Sequence, residues 1–143
     1  MTSTDEHIKK IKEHLDELED AINEGIEKKP VTIGFNCSAC SMQLLELYLH
    51  LTNKIPIGKV IKHDWFKKPH KGQKIDPLIE RKLPINFEEK ENIYNLIYQI
   101  EENRDNLIYG RAVKEQIEKV YSSFLKLKEI LISKIKQKGV EIG

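Results

Sequence analysis

The stretch that decides the fold is VTIGFNCSACSMQLLELYLHLTN, residues 31–53. Between Cys37 and Leu51 its apolar residues fall on several faces of a helix, which is typical of a helix enclosed by others. Small residues in its first half let a neighbouring helix approach closely: Gly34, Ser38, Ala39 and Ser41. The sequence therefore predicts a central helix here, ended by Pro56 and Gly58.

Three further helices are predicted around this central one. Apolar residues recur at spacings of three and four over residues 3–29, 86–108 and 113–138, as on one face of an amphipathic helix. Neither strand-like alternation nor an internal repeat is evident. We therefore expect a single all-α domain over residues 1–143, an up-and-down bundle of about four long helices.

Several helix ends carry recognisable signals. Ser3 with Glu6 has the spacing of a capping box at the start of the first helix. Asn86 with Glu89 predicts a cap for the third long helix, and Gly110 predicts a left-handed cap at its end.

Residues 57–84 form the predicted irregular connection between the second and third long helices. Connections longer than roughly 15 residues are uncommon unless they are functional. Between Lys59 and Lys82 there are eight basic residues against three acidic ones, and Trp65 and Phe66 add stacking groups. This combination is typical of a surface for single-stranded nucleic acid. The candidate nucleic-acid-binding residues are Lys62, His63, Lys67, Lys68, His70 and Lys71. Alternatively, the lysines only solvate a loop that the aromatic residues pin to the core.

Composition excludes several functional classes. The net charge is +1, so the whole molecule is not a strong attractor of polyanions, and any such site must be local. No stretch approaches the roughly 18 apolar residues of a membrane span, which predicts a cytoplasmic protein without a membrane partner. Abundant Lys, Glu and Ile with few Cys and Met are typical of hyperthermophile proteins.

The most informative polar cluster lies near the end of the third long helix, at residues 102–110. The chain has three arginines, and Arg104 stands here beside Asp105 and Asn106. Arginine is the permanently charged, planar donor suited to phosphate. Asp105 and Tyr109 are four residues apart and share one helix face.

The stretch RDNLIYG, residues 104–110, resembles the signature of the HEPN superfamily, an arginine, a polar residue, a short spacer and a histidine. The resemblance extends loosely over residues 35–135. It implies that Arg104 binds a phosphate, that Asp105 orients it and that Tyr109, standing where the family has histidine, donates a hydrogen bond. It also implies a homodimer, chemistry without a metal or other cofactor, RNA as a ligand, and a nucleotidyltransferase-type partner as in toxin–antitoxin pairs.

Tyrosine is a poor general base near neutral pH, so we expect a dimeric RNA- or phosphate-binding module without efficient ribonuclease activity. His63 and His70 are the residues able to supply a titrating group, which leaves a metal-independent endoribonuclease as an alternative. A further alternative is a non-enzymatic interaction module. In that case Arg104 and Asp105 are a helix-end ion pair and Tyr109 is a half-buried packing residue.

No metal site is predicted. Cys37 and Cys40 have the spacing of half a zinc site, but the chain has no second pair, and buried structural cysteines are the better interpretation. His7, His14 and His50 are expected at exposed or groove-edge helix positions without evident partners.

Overall fold

The computed structural model describes residues 3–67, 72 and 74–142. Its helices are α1 (Thr4–Glu24), α2 (Pro30–Leu51), α3 (Leu78–Lys82), α4 (Lys90–Tyr109) and α5 (Lys114–Gln137). Four of them are long, and the described ranges contain no strand. The all-α prediction is confirmed. None of these helices is both long and apolar enough to cross a membrane.

Helix α2 is the centre of the bundle, as its sequence predicts. It packs against α1, α4 and α5, and α4 also packs against α5. Gly34, near the start of α2, meets Leu107 near the end of α4, whereas Tyr48 packs on Phe87 just before α4 begins. These two helices therefore run antiparallel. Because short links join α1 to α2 and α4 to α5, the four long helices alternate in direction.

Gly34 sets the distance between α2 and α4. A Cβ atom at this position would lie 2.8 Å from the Leu107 Cβ, closer than real Cβ contacts. The glycine therefore allows the two backbones to approach, and this contact lies one turn from Ser38, which also faces α4.

The predicted helix ends are only partly confirmed. Ser3 and Glu6 form the capping box at the start of α1. The predicted cap at Asn86 is wrong, because α4 begins at Lys90 and its N-cap residue is Glu89, whose φ is 63°. The left-handed cap at Gly110 is also wrong, since that residue is extended with φ −109° and ψ −160°.

Asn106 explains why no left-handed turn is needed after α4. Its Nδ2 donates to the carbonyl of Arg111 at 3.3 Å and to Gln116 Oε1 at 2.6 Å. Gln116 Oε1 also accepts from the Val113 backbone N–H at 3.1 Å. This side-chain bridge leads the chain directly from α4 into α5.

The connection between α2 and α4 is anchored to the bundle. Its described residues include a 3-10 turn, His63–Trp65, and the short α3. Phe66 is 2% exposed and packs edge-on against Tyr94 and Tyr98 of α4, with ring centroids 5.1 and 5.8 Å away. Ile79 is fully buried. The aromatic anchoring predicted for this segment is confirmed, and it brings His63 onto α4.

Candidate functional site

A buried carboxylate, Glu101 of α4, organises the candidate site. Its side chain is 6% exposed. Ser38 of α2 donates its hydroxyl hydrogen to Glu101 Oε2 at 2.6 Å, and His63 Nδ1 lies 2.8 Å from Oε1. Three separate segments therefore meet at this one carboxyl group.

The environment of Glu101 sets its protonation. Burial raises the pKa of Glu101, while the hydrogen bonds from Ser38 and His63 and the charge of Arg104 oppose that rise. When Nδ1 of His63 carries the proton that Glu101 accepts, Nε2 of the same ring holds the free lone pair. The His63 side chain is 41% exposed, so a ligand can reach this imidazole.

Arg104 and Asp105 lie beside this carboxylate. Arg104 Nη1 is 3.1 Å from Asp105 Oδ1, and the two side chains are 13% and 72% exposed. The buried Nε of Arg104 has no hydrogen-bond partner within residues 3–67, 72 and 74–142. The arginine is thus held against the protein with part of its hydrogen-bonding capacity unused.

Tyr109 does not join this cluster. It is the last residue of α4 and is 80% exposed. The alternative that Tyr109 is a half-buried packing residue is therefore wrong, because most of its side chain is exposed to solvent. Of the three predicted motif residues, the structure brings Arg104 and Asp105 into contact.

A pocket of about 330 Å³ opens next to Glu101. Its lining residues are Phe66, Lys67, Tyr98, Glu101, Glu102 and Asp105. Each carboxyl group here has a basic neighbour: Glu101 has His63, Asp105 has Arg104, and Glu102 has Lys119 at 3.9 Å. The acidic lining is therefore locally compensated.

The basic residues of the connection are only partly described. Lys62 and Lys67 are exposed, and Lys67 lines the pocket. Lys68, His70 and Lys71 lie outside the described residues. His63 is brought within hydrogen-bonding distance of Glu101, which joins the predicted nucleic-acid-binding segment to the predicted motif helix.

Sequence reasoning missed Glu101 and Ser38. Ser38 was treated only as a small residue that permits close packing, although its hydroxyl binds the carboxylate. A signal for Glu101 did exist, because it follows the fully buried Ile97 by one helical turn and so faces the interior. An acid on a buried face is a candidate functional group.

The two cysteines are buried and unbridged, as predicted. Burial raises the pKa of both thiols, that of Cys40 to about 12. They pack in the core as protonated thiols, which are poor nucleophiles and poor metal ligands.

No protein-family model, curated protein or solved structure matches this chain. The resemblance to the HEPN superfamily therefore stays a prediction that rests on residues 104–110.

Proposed function

We propose that this protein is a HEPN-like RNA-binding module that binds the phosphate backbone with Arg104 and Lys67, beside the His63–Glu101 pair, and lacks efficient ribonuclease activity. The contact between His63 and Glu101 carries the proposal, because it brings the basic connection onto the motif helix beside Arg104. Arginine and lysine are the usual phosphate ligands in nucleic-acid complexes.

Basic side chains lie beside the three carboxylates of the pocket and can contact an anionic ligand. The Glu101 and Asp105 carboxylates are paired with His63 and Arg104, so they orient these basic groups. Lys67 stands exposed at the pocket rim, and the partly buried Tyr98 supplies aromatic surface. A phosphate contacting Lys67 and Arg104, with a base against the Tyr98 ring, fits a single-stranded RNA segment.

The weak-catalysis part of the proposal rests on Tyr109. Its exposed phenol group replaces the histidine of the resembling family, and a phenol is a weak general base near neutral pH. RNA then binds at Arg104 without an efficient acceptor for the 2′-hydroxyl proton at that position.

The binding test is fluorescence anisotropy with a mixed-sequence single-stranded RNA at several salt concentrations. Lys67→Ala and Arg104→Ala are expected to weaken binding, and each lost phosphate contact lowers the salt slope by about 0.7. Lys136→Ala, an exposed lysine near the far end of α5, is the matched control and keeps the affinity of the wild type. Equal affinities for all four proteins would refute the proposed site.

A second candidate function is a metal-independent endoribonuclease with His63 as the general base. The hydrogen bond from His63 Nδ1 to a buried carboxylate favours it, since such a partner orients the ring and stabilises its protonated form. In that reaction His63 Nε2 takes the 2′-hydroxyl proton and the 2′-oxygen attacks phosphorus. A 2′,3′-cyclic phosphate forms as the 5′-oxygen leaves with a proton from solvent.

Cleavage of the same RNA without Mg²⁺, with and without EDTA, separates the two candidates. Cleavage by the wild type that falls 10²–10⁴-fold in His63→Ala, as expected for loss of a general base, would establish the ribonuclease. Bound but intact RNA supports the binding module.

The proposed module is a homodimer that associates through one end of the bundle. Exposed apolar residues gather at the start of α2, the end of α4 and the start of α5: Val31, Phe35, Tyr109 and Val113. Phe35 is 49% exposed, and a phenylalanine so placed is typical of an interface.

Light scattering coupled to gel filtration tests this assembly. Phe35→Glu is expected to convert the dimer to a monomer. Leu125→Glu, which changes a 40% exposed leucine on α5, is the matched control and stays dimeric. If the wild type were a monomer, the apolar end would be a surface for another protein. The nucleotidyltransferase-type partner implied by the HEPN resemblance would then be tested by co-purification.

A further inference from the structure

A second buried polar cluster lies between α1 and α2, away from the pocket. It contains His7 of α1 with Glu46 and His50 of α2. One ligand atom from each residue lies within 4.8 Å of the other two. His7 and Glu46 are 1% and 4% exposed, and His50 is partly buried. Polar side chains so deeply buried need partners.

Three ring nitrogens of this cluster lack hydrogen-bond partners within the described residues. In the described part of the chain, His7 Nε2 and both ring nitrogens of His50 are buried without a hydrogen-bond partner. The His7 and His50 rings lie 5.3 Å apart between centroids. Leaving buried polar atoms without a partner is costly, so the cluster is incomplete as a purely protein-built arrangement.

His7 and Glu46 are each held in place by a hydrogen bond to another part of the protein. His7 Nδ1 lies 2.8 Å from Gln43 Oε1, so Nδ1 carries the proton and Nε2 is left with its lone pair. The backbone N–H of Ile61 donates to Glu46 Oε2 at 3.0 Å and leaves the other carboxylate oxygen available. Metal-binding histidines and carboxylates are typically oriented by outer hydrogen bonds of this kind.

We propose that His7, Glu46 and His50 bind a divalent transition-metal ion, with Zn²⁺ as the best fit. Two imidazoles and one carboxylate are a common zinc ligand set, and a water molecule completes four-coordination. A tetrahedral site with bonds of about 2.05 Å separates its ligand atoms by about 3.3 Å. The ligand atoms here lie within 4.8 Å of one another, so a bound ion would draw them closer together.

Burial changes the protonation of two of the three proposed ligands. Burial lowers the pKa of His7, which favours the neutral imidazole that binds metal. Burial also raises the pKa of Glu46 to about 7, so a cation would stabilise a carboxylate that is otherwise costly to ionise. The charge of Lys10 acts on both groups, but this side chain is exposed to solvent.

The ion would fasten three segments of the chain. His7 brings in α1, while Glu46 and His50 bring in α2 one helical turn apart. Through Ile61, Glu46 also holds the connection two residues before His63. The site therefore acts as a structural clasp behind the segment that carries His63, and it takes no part in the proposed RNA chemistry.

The test is calorimetric titration of Zn²⁺ into tag-free protein that has been dialysed against EDTA and then freed of chelator. The wild type is expected to bind one equivalent, and His7→Gln and His50→Gln to bind at least about 100-fold more weakly. His14→Gln is the matched control, because His14 lies on the same helix but is hydrogen-bonded to Asn36. It should bind zinc like the wild type.

A second measurement excludes other ligands and misfolding. Co²⁺ bound in place of Zn²⁺ should give the visible spectrum of a four-coordinate nitrogen and oxygen site, unchanged in Cys37→Ser with Cys40→Ser. Zn²⁺ should raise the Tm of the wild type and of His14→Gln, but not that of His50→Gln, whose circular dichroism verifies folding. No stoichiometric binding by the wild type, or binding that survives both His7→Gln and His50→Gln, overturns the proposal.

Discussion

Two buried glutamates, Glu101 and Glu46, both lie near histidine side chains, but they differ in the hydrogen bonds that the protein supplies. Glu101 is bound by Ser38 and His63, one on each oxygen. Glu46 has a hydrogen bond from Ile61 on one oxygen and faces His7 and His50 across a few ångströms without a hydrogen bond to either. The protein itself supplies a partner for both oxygens of Glu101, whereas the cluster around Glu46 has ring nitrogens that lack partners among the described residues and that the proposed ion would bind.

This difference separates two kinds of polar site. A satisfied carboxylate that orients an accessible histidine beside an open pocket is suited to a ligand that comes and goes. An enclosed carboxylate beside two imidazoles that have ring nitrogens without hydrogen-bond partners is suited to an ion that stays bound. The connection links them, because Ile61 contacts one glutamate and His63 the other.

The largest expected effect comes from Gly34→Val, which acts on one site only. Its side chain would collide with Leu107 and force α2 and α4 apart next to the Ser38–Glu101 contact. We expect a loss of roughly 3 kcal/mol in the free energy of unfolding, measured by urea denaturation, together with weaker RNA binding. Gly34→Ala should cost less than Gly34→Val, because it adds only the Cβ atom that meets Leu107 and also gains about 1 kcal/mol in helix propensity over glycine.

Zinc affinity measured in the same Gly34→Val protein sharpens the comparison. Glu46 lies three helical turns from the collision, so we expect Zn²⁺ binding to stay close to that of the wild type. Equal losses of RNA and zinc binding would show that the two glutamates belong to one coupled unit.

A smaller effect is expected from Ser38→Ala. It removes a hydroxyl that donates to a buried carboxylate, and hydrogen bonds to charged groups contribute about 1.5–3 kcal/mol. The loss in the free energy of unfolding should be the same in EDTA and in Zn²⁺. His50→Gln should behave in the opposite way, with little loss in EDTA and a clear loss relative to the wild type in Zn²⁺. A zinc-dependent loss in Ser38→Ala would contradict the separation of the sites.

The smallest effect is a pH dependence of Glu101. Burial raises its pKa in the folded state above the ordinary value of 4.5. The folded protein therefore binds the proton more tightly than the unfolded chain, so the stability contributed by this group falls as pH rises from 4.5. Ser38, His63 and Arg104 face the carboxyl group and limit the fall.

Urea unfolding of the wild type and Glu101→Gln in EDTA, from pH 4.5 to neutrality, measures this term. The stability of the wild type relative to the variant should decrease with rising pH. A difference that increased with pH would mean that the hydrogen bonds outweigh burial at Glu101.

Much of the fold could be predicted from the sequence, because helix formation depends on apolar periodicity within neighbouring turns. The four long helices, the capping box of Ser3 and the central position of α2 followed from local pattern. The ends of α4 did not, since the side-chain bridge from Asn106 to Gln116 replaced the cap predicted at Gly110.

The histidines show where sequence reasoning failed at the sites. His50 is partly buried, which agrees with the expected groove-edge position. The expectation that the histidines lack partners is wrong for His7 and His14, because His7 is buried against Gln43 and His14 binds Asn36. These partners come from α2, which packs across α1, and helix periodicity alone does not state which polar residues will face each other.

The sequence by itself determined the helices, the long basic connection and the candidate arginine, because each is a property of a short segment. Only the tertiary structure decided that His63 meets Glu101 across 38 residues and that His7 meets Glu46 and His50 across a helix interface. Such encounters depend on how the packed helices and the anchored connection bring distant residues together, and burial then determines which polar groups still need a ligand.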